Sequence, residues 1–438
     1  INPFLTSKDQ DPGVIVIDNK CSKIVPLIGL HQSNTQNISC QIANLLGGEI
    51  IETNNSNDQS LLNLDAFGNQ WGWKRSGKIN DWSKLVIKQA KNEEIFCKQL
   101  SGNSLWKTSE SAEIINQIDK KETEKPDSTF HVSIFENHGT TWHPPVLWIG
   151  IGCERNTSKE LIANSLNNLL ESGNLSQQSI AGFATIDIKK DEKGILELSE
   201  EKNLPIKFFS KKDLSTIIVP NPSNVVQKEI GTPSVAEASC LLAAGEESKL
   251  LEEKRIFKNQ SGAVTIAVAE SKNQYNPTHG EIHIIGSGPG DISFLTNNAR
   301  KALSRCTVWI GYKMYLDLIK PLKRNDQVLI ESKLTEEKER CSKAIKLAEE
   351  GIKVALISSG ESGFYGMAGL LLELLQKIKK EYRPYFEVHP GISSVQLAAA
   401  ISGAPLMNDF CSVSLSDKLT PWSLIEKRIE GALVGDFV

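Results

Sequence analysis

Three short stretches place glycine beside small hydroxyls or an acid directly after an apolar run. They are Gly286-Ser287-Gly288-Pro289-Gly290-Asp291, Ser358-Ser359-Gly360-Glu361-Ser362-Gly363-Phe364-Tyr365-Gly366, and Val388-His389-Pro390-Gly391-Ile392-Ser393-Ser394. Such loops can do one kind of chemistry well. Without a Cβ, the backbone can approach a flat ligand closely. The first stretch occupies the setting of a dinucleotide-binding loop. The match fails in detail: Asp291 stands where the sixth position needs Gly, and Pro289 removes an N–H that would face phosphate. Taken singly, this loop has an equal reading as a tight strand-to-helix turn. Taken together, three glycine-bearing loops follow strands of one sheet, and the carboxyl ends of strands are where open α/β sheets bind ligands.

The elements that must position these loops can be read from periodicity. Residues 282–285 and 354–357 are apolar strands, 335–350 is a helix stopped by Gly351, and another helix starts at Met367. Strands alternating with helices of this length predict a mainly parallel sheet. Upstream, residues 145–270 form a second α/β region. The apolar run 146–151 enters Gly150-Ile151-Gly152-Cys153-Glu154-Arg155, Thr157 and Glu160 suggest a capping box, and strands are expected at 185–188, 217–219 and 264–268. Residues 1–60 form a first region, in which 12–53 read as strand, helix, strand and 54–60 as loop. Residues 61–144 are mixed and hold Trp71, Trp73, Trp82 and Trp106, expected to be core. Residues 271–280, SKNQYNPTHG, are the clearest linker, and 281–438 is the last domain.

Composition narrows the classes. The 438 residues include 39% hydrophobic and 23% charged, a globular profile, with a net charge of -4. No basic excess draws the chain to nucleic acid or an anionic membrane. No run approaches the roughly 18 apolar residues of a membrane span. The eight cysteines include no CxxC pair, which fits a reducing, cytoplasmic setting and predicts no metal site.

Residues 281–438 resemble the tetrapyrrole (corrin) methyltransferases. The resemblance rests on GSGPGD at 286–291, SSGESGFYGMA at 358–368, PGISS at 390–394, GAPL at 403–406 and DFCSVSLSDKLTPW at 409–422. The last string is similar to the precorrin-3B (or cobalt-factor III) C17-methyltransferase, which also contracts the ring. The resemblance implies S-adenosylmethionine as methyl donor, lined by Gly288, Pro289, Gly290, Ser359, Gly360, Glu361, Gly363, Ser393 and Ser394. Glu361 stands where the family usually has Asp. Asp291 faces the substrate cleft on this reading, or caps the next helix.

Residues 1 to about 270 resemble the cobalamin-biosynthesis family of cobalt-precorrin-5A hydrolases. The signals are Pro26-Leu27-Ile28-Gly29-x-His31, Asp65-x-x-Gly68 with Trp71-Gly72-Trp73, GIGCERNTS at 150–158, 183–189, 204–209 and 231–238. The family's Gly-Gly-Ala-Asn-like stretch after the histidine is here Gln32-Ser33-Asn34-Thr35. The reaction implied is opening of a lactone with release of a two-carbon aldehyde, which needs activated water and anion stabilisation. Gly152, Cys153, Arg155 and Glu237 are candidates for the substrate face, then His31 and Asp187. Each has a plainer reading. Cys153 is a small core residue, Arg155 caps a neighbour rather than clamping a carboxylate, Glu237 answers a helix dipole, and His31 is a satisfied loop histidine.

The fold class expected is α/β in several domains, ending in a tetrapyrrole-methylase-like domain that is incomplete at its C-terminus. The start at Ile1 and the stop at 435–438, read as the opening of a strand, suggest a piece of a longer chain that by itself binds the methyl donor weakly or not at all and transfers no methyl. The expected activity is C17 methylation fused to a hydrolase-like module. Expected partners are a tetrapyrrole, whose own cobalt is the only metal, and no nucleic acid or membrane; a homodimer is left open. A C11 or C20 methyltransferase, or a non-catalytic tetrapyrrole-binding protein, are the alternatives.

Overall fold

The computed structural model describes residues 13–28, 35–51, 64, 67–119, 128–136, 139–260, 262–418 and 420–438. Its contacts divide into two units, Ile1–Pro144 with Leu166–Ser179, and Pro145–Ser165 with Ile180–Val438.

The first unit holds two sheets. In one, β1 (Val14–Ile17) runs antiparallel to β2 (Lys23–Ile28), which is parallel to β3 (Glu49–Ile50). β2 carries Pro26 within it. The other joins β4 (Lys74–Ser76), β5 (Ile95–Gln99), β6 (Ile115–Gln117), β7 (Thr129–Val132) and β8 (Thr141–His143) in the order β4-β8-β7-β5-β6. The tryptophans are core, as expected. Phe67 sits edge-on to Trp73, Trp106, Phe130 and Trp142, with centroids 4.9–6.2 Å apart. Gly68 is glycine for packing, since a Cβ there would lie 1.9 Å from the Trp142 ring.

The second unit begins with a mixed sheet of β9 (Leu147–Cys153), β10 (Ile180–Ile186), β11 (Ile206–Phe209), β12 (Lys249–Asn259) and β13 (Gly262–Glu270), ordered β11-β10-β9-β13-β12. β9, β10 and β11 are parallel; the β12–β13 hairpin is antiparallel. Of Gly150-Ile151-Gly152, the first glycine lies against a helix and the second against strand β13. A Cβ on Gly150 would lie 1.8 Å from the Ala236 carbonyl of helix Ala236–Ala244, and one on Gly152 2.6 Å from Thr265 Oγ1. Two local expectations fail. Residues 217–219 form no strand. The helix Lys159–Ser172 starts on Ser158, whose Oγ accepts from Leu161 N–H, whereas Thr157 turns its hydroxyl to the Glu154 carbonyl.

The connector 271–280 is fastened on both sides. Ser271 Oγ donates to the Ala244 carbonyl, and the Tyr275 N–H to that of Pro145. On the other side the Gln274 amide donates to the Glu350 carbonyl, the Asn276 N–H to that of Glu349, and Gly280 leaves no room for a Cβ against Ala348. Lys207 lies over the rings of Trp148 and Tyr275, and burial pushes its ammonium down to about 8 despite the charge of Glu349.

The last sheet is wholly parallel. Its strands are β14 (Glu281–Gly286), β15 (Val308–Tyr312), β16 (Val328–Ser332), β17 (Lys353–Ser358) and β18 (Tyr385–His389), ordered β16-β15-β17-β14-β18. One face buries Ile285, Trp309 and Ile357 against Leu295, Ala299, Leu303 and Leu316. Each such aliphatic side chain removed from water contributes about 1.5–3 kcal/mol. The final residues do not open a strand: helix Trp422–Val434 precedes them, and Val438 only exchanges backbone hydrogen bonds with Asp409 and Cys411.

Candidate functional site

Because β17, β14 and β18 are adjacent and parallel, their carboxyl ends deliver the three glycine loops to one rim. The loops touch backbone to backbone. Gly288 and Gly360 exchange N–H···O=C bonds of 3.1 and 2.8 Å, both at positive φ. A Cβ on Gly391 would lie 2.0 Å from the Gly360 carbonyl oxygen and 2.6 Å from that of Gly286. The Thr296 hydroxyl, next along the chain, donates to the Pro390 carbonyl. These glycines therefore close the loops onto one another. Gly290, at φ +135°, has open space where a side chain would be.

The polar residues of the rim are partly committed. Glu361 folds back so that its carboxylate accepts from the Gly363 N–H at 2.7 Å. Ser393 is an N-cap: its Oγ accepts from Gln396 N–H while the Gln396 side chain accepts from the Ser393 N–H. Asp291 is exposed and accepts from the Ser293 N–H, which holds its carboxyl below the usual range. It caps a 3-10 turn at Ile292–Phe294, and the helix after it is capped by Thr296. Ser359 and Ser394 are exposed, and Pro289 is half-buried. Two neighbours were not singled out in the sequence. Tyr365, a non-glycine residue at φ 57°, exchanges hydrogen bonds of 3.1 Å with Ser412 in the 409–422 stretch. A recess at the carboxyl ends of β15 and β16 is lined by Tyr312, Lys313, Met314, Ser332, Lys333 and Leu334.

A second group of candidates lies at the ends of β9 and β10. Arg155 donates to Asp191 at 2.6 Å and to the Ile188 carbonyl at 2.6 Å. Its pairing raises the guanidinium and lowers Asp191. Behind it Lys189 and Glu192 form a buried pair at 3.0 Å, and Glu192 also accepts from the Asn156 N–H. Burial pushes the Cys153 thiol up to about 11, against the pull of Lys189. Glu237 is not brought into this set. It is fully buried, and its carboxylate accepts from the Asn221 N–H, the Asn221 amide and the Lys254 N–H. Asp187 opens a 3-10 turn beside Lys189. His31 lies outside the described residues.

No metal site was expected from residue spacing, yet the sheet gathers three possible ligands on one face of β14 and β18. They are His283, Glu387 and His389. Glu281, beneath them, bonds His283, Lys353 and Arg305. Burial opposes its charge, but these hydrogen bonds and charges hold its carboxyl down at about 2. Burial and the neighbouring His283 ring keep His389 below the ordinary imidazole range. The one signal in the sequence was Glu-x-His on two strands, a spacing that puts both side chains of each strand on the same face.

Sequence models of known families match in three stretches: Cobalamin synthesis G N-terminal at residues 1–57, Cobalamin synthesis G C-terminus at 147–269, and Tetrapyrrole (Corrin/Porphyrin) Methylases at 281–437. The chain is thus similar, in successive stretches, to cobalamin synthesis G proteins and to tetrapyrrole methylases. It is 50% identical over 161 residues to a cobalt-factor III methyltransferase of Priestia megaterium, covering 36% of this chain and 30% of that one. It is 48% identical over 157 residues to a probable cobalt-factor III C(17)-methyltransferase of Salmonella typhimurium, covering 36% and 64%. A cobalt-precorrin-5A hydrolase of Priestia megaterium is 29% identical over 293 residues, covering 61% of this chain and 74% of that protein. The chain thus spans less than two thirds of either methyltransferase relative. Among the described residues, no helix is long and apolar enough to cross a membrane.

Proposed function

We propose that residues 281–438 belong to a domain that binds S-adenosylmethionine and methylates C17 of a precorrin-3B or cobalt-factor III type tetrapyrrole with ring contraction, and that the preceding residues act as a cobalt-precorrin-5A hydrolase-like module. The observation that carries this reading is the mutual closure of the three glycine loops on one rim of the parallel sheet. A rim built of main chain, with open space at Gly290 and hydroxyls at Ser359 and Ser394, fits a flat adenosine group better than a rim of long side chains would. Gly288, Pro289, Gly290, Ser359, Gly360 and Ser394 would line it. Glu361 and Ser393 would support it by shaping their own loops. The donor supplies an already activated methyl group, so the chain's task is to hold donor and macrocycle in line, which is the larger part of such an acceleration. Asp291 is exposed and ionised on the same edge.

In the hydrolase-like part, Arg155 is the group best placed to meet a substrate carboxylate, since its ion pair with Asp191 is exposed and exchangeable. The protonated state favoured for Cys153 supports its plainer reading as a packing residue.

Incubation of the full-length protein with cobalt-factor III and S-adenosylmethionine carrying a labelled methyl, followed by product mass and methyl position, tests the proposal. One methyl at C17 is expected. A methyl at C11 or C20 would replace the substrate assignment, and tight macrocycle binding with no turnover would replace the enzyme by a carrier.

A further inference from the structure

We propose that His283, Glu387 and His389 form a binding site for a single divalent first-row transition ion, of the Zn²⁺ or Co²⁺ class, which staples edge strand β18 to β14. The site is independent of the methyl-transfer reading above. Strand register builds it. In the parallel β14–β18 pair, His283 lies opposite Glu387 and Ile285 opposite His389, so residues two apart on each strand face the same way. His283 and His389 are almost wholly buried, and Glu387 is half-exposed at the edge.

The distances suit a metal. His283 Nδ1 and His389 Nε2 are 2.9 Å apart. The carboxylate oxygen Oε2 of Glu387 is 3.9 Å from the first and 3.8 Å from the second. The point equidistant from these three atoms lies about 2.1 Å from each, inside the ~2.0–2.2 Å range of Zn–N and Zn–O bonds. The outer shell is also in place. Glu281 Oε2 sits 2.8 Å from His283 Nε2, so that nitrogen carries the proton and Nδ1 presents its lone pair toward His389. Glu281 is in turn held by Lys353 at 2.6 Å and Arg305 at 3.1 Å. Two imidazoles and one carboxylate select a borderline transition ion over Mg²⁺ or Ca²⁺, which prefer all-oxygen sets. Three ligands leave positions for water on the exposed side. His389 directly precedes Pro390-Gly391, so an ion here also anchors the third glycine loop.

The test uses the whole chain, stripped with a chelator and titrated with Co²⁺ alone, then Zn²⁺ alone. The expected result is one equivalent of Co²⁺ with visible d–d absorption, displaced by Zn²⁺, and a melting temperature that rises with either ion. Glu387→Gln changes only a half-exposed side chain and should leave the metal-free melting unchanged while weakening Co²⁺ binding at least about tenfold. His389→Asn should abolish it. The double variant Cys21→Ser, Cys411→Ser, which removes the two thiols exposed among the described residues, should bind as the parent does. No uptake of Co²⁺ or Zn²⁺ by the folded parent overturns the proposal, as does unchanged affinity in Glu387→Gln.

Discussion

The rim of β14, β17 and β18 and the charged cluster at the ends of β9 and β10 occupy equivalent places on two sheets, at the carboxyl ends of parallel strands. They are built oppositely. The first is backbone packed on backbone, with glycines at every close approach. The second is side chain paired with side chain: Arg155 with Asp191, and Lys189 with Glu192. A main-chain rim is already shaped before a ligand arrives. A self-paired cluster must first give up an ion pair. The two pairs differ in what that costs. An exposed pair such as Arg155–Asp191 is worth about 0–1 kcal/mol. Breaking a buried one such as Lys189–Glu192 costs about 3–5 kcal/mol. Only the outer pair is therefore a plausible exchange point for a substrate carboxylate.

The sharpest way to break the comparison is at Gly391. Its Cβ in Gly391→Ala would meet only backbone, at 2.0 Å from the Gly360 oxygen, so the second and third loops must part. The expected loss is about 3 kcal/mol by denaturant unfolding, the upper end of overpacking costs, with methyl-donor affinity in calorimetric titration down at least tenfold. Gly369→Ala, where nothing lies within contact, is the control and should keep both. A rim that tolerates Gly391→Ala without losing affinity would not be preformed in the sense argued.

Next in size is Glu237. In Glu237→Ala the part-buried N–H groups of Asn221 and Lys254 lose their acceptor, at about 1–3 kcal/mol each when fully unpaired. We expect a loss of roughly 2–3 kcal/mol and a fall in hydrolase-like turnover no larger than the folded fraction explains. Turnover abolished with an unchanged unfolding midpoint would instead make Glu237 a proton-transfer group and enlarge the second site.

These two positions show what was legible in the sequence. The loops were, because glycine and hydroxyls after an apolar run mark strand ends whatever the tertiary context. The aromatic core was too, since four tryptophans in 36 residues have few places to go but inward. Edge strands were not. β12, KLLEEKRIFKN, is charged on its open side and lacks clean alternation, and β11 is four residues long. Ile217-Ile218-Val219 is β-branched throughout, yet no strand among the described residues pairs with it, and Ile218 is left exposed. The buried socket of Glu237 left no mark in the sequence, and the His283–His389 pair only its Glu-x-His spacing, for another reason. Their partners lie 16, 17 and 106 residues away, and only strand register and helix docking bring them together.

The smallest effect, and the one that sharpens the second region most, is at Cys153. A thiol pushed up to about 11 is almost wholly protonated at neutral pH, hence a poor nucleophile. Iodoacetamide at pH 8 should label exposed Cys21 and Cys411 long before Cys153, read by peptide mass spectrometry. Labelling of Cys153 should rise steeply only above pH 9. The linkage has a definite sign. The thiol's folded value lies above its unfolded one, so the unfolded chain releases that proton first. The contribution of Cys153 to stability is then whole below about pH 9 and falls as pH climbs toward 11. Cys153→Ser should flatten that part of the stability profile and leave hydrolase-like turnover unchanged. Fast labelling at pH 8, or loss of turnover in the serine variant, would mean that a bound substrate stabilises the thiolate, and the charged cluster would then be a nucleophilic site rather than a carboxylate clamp.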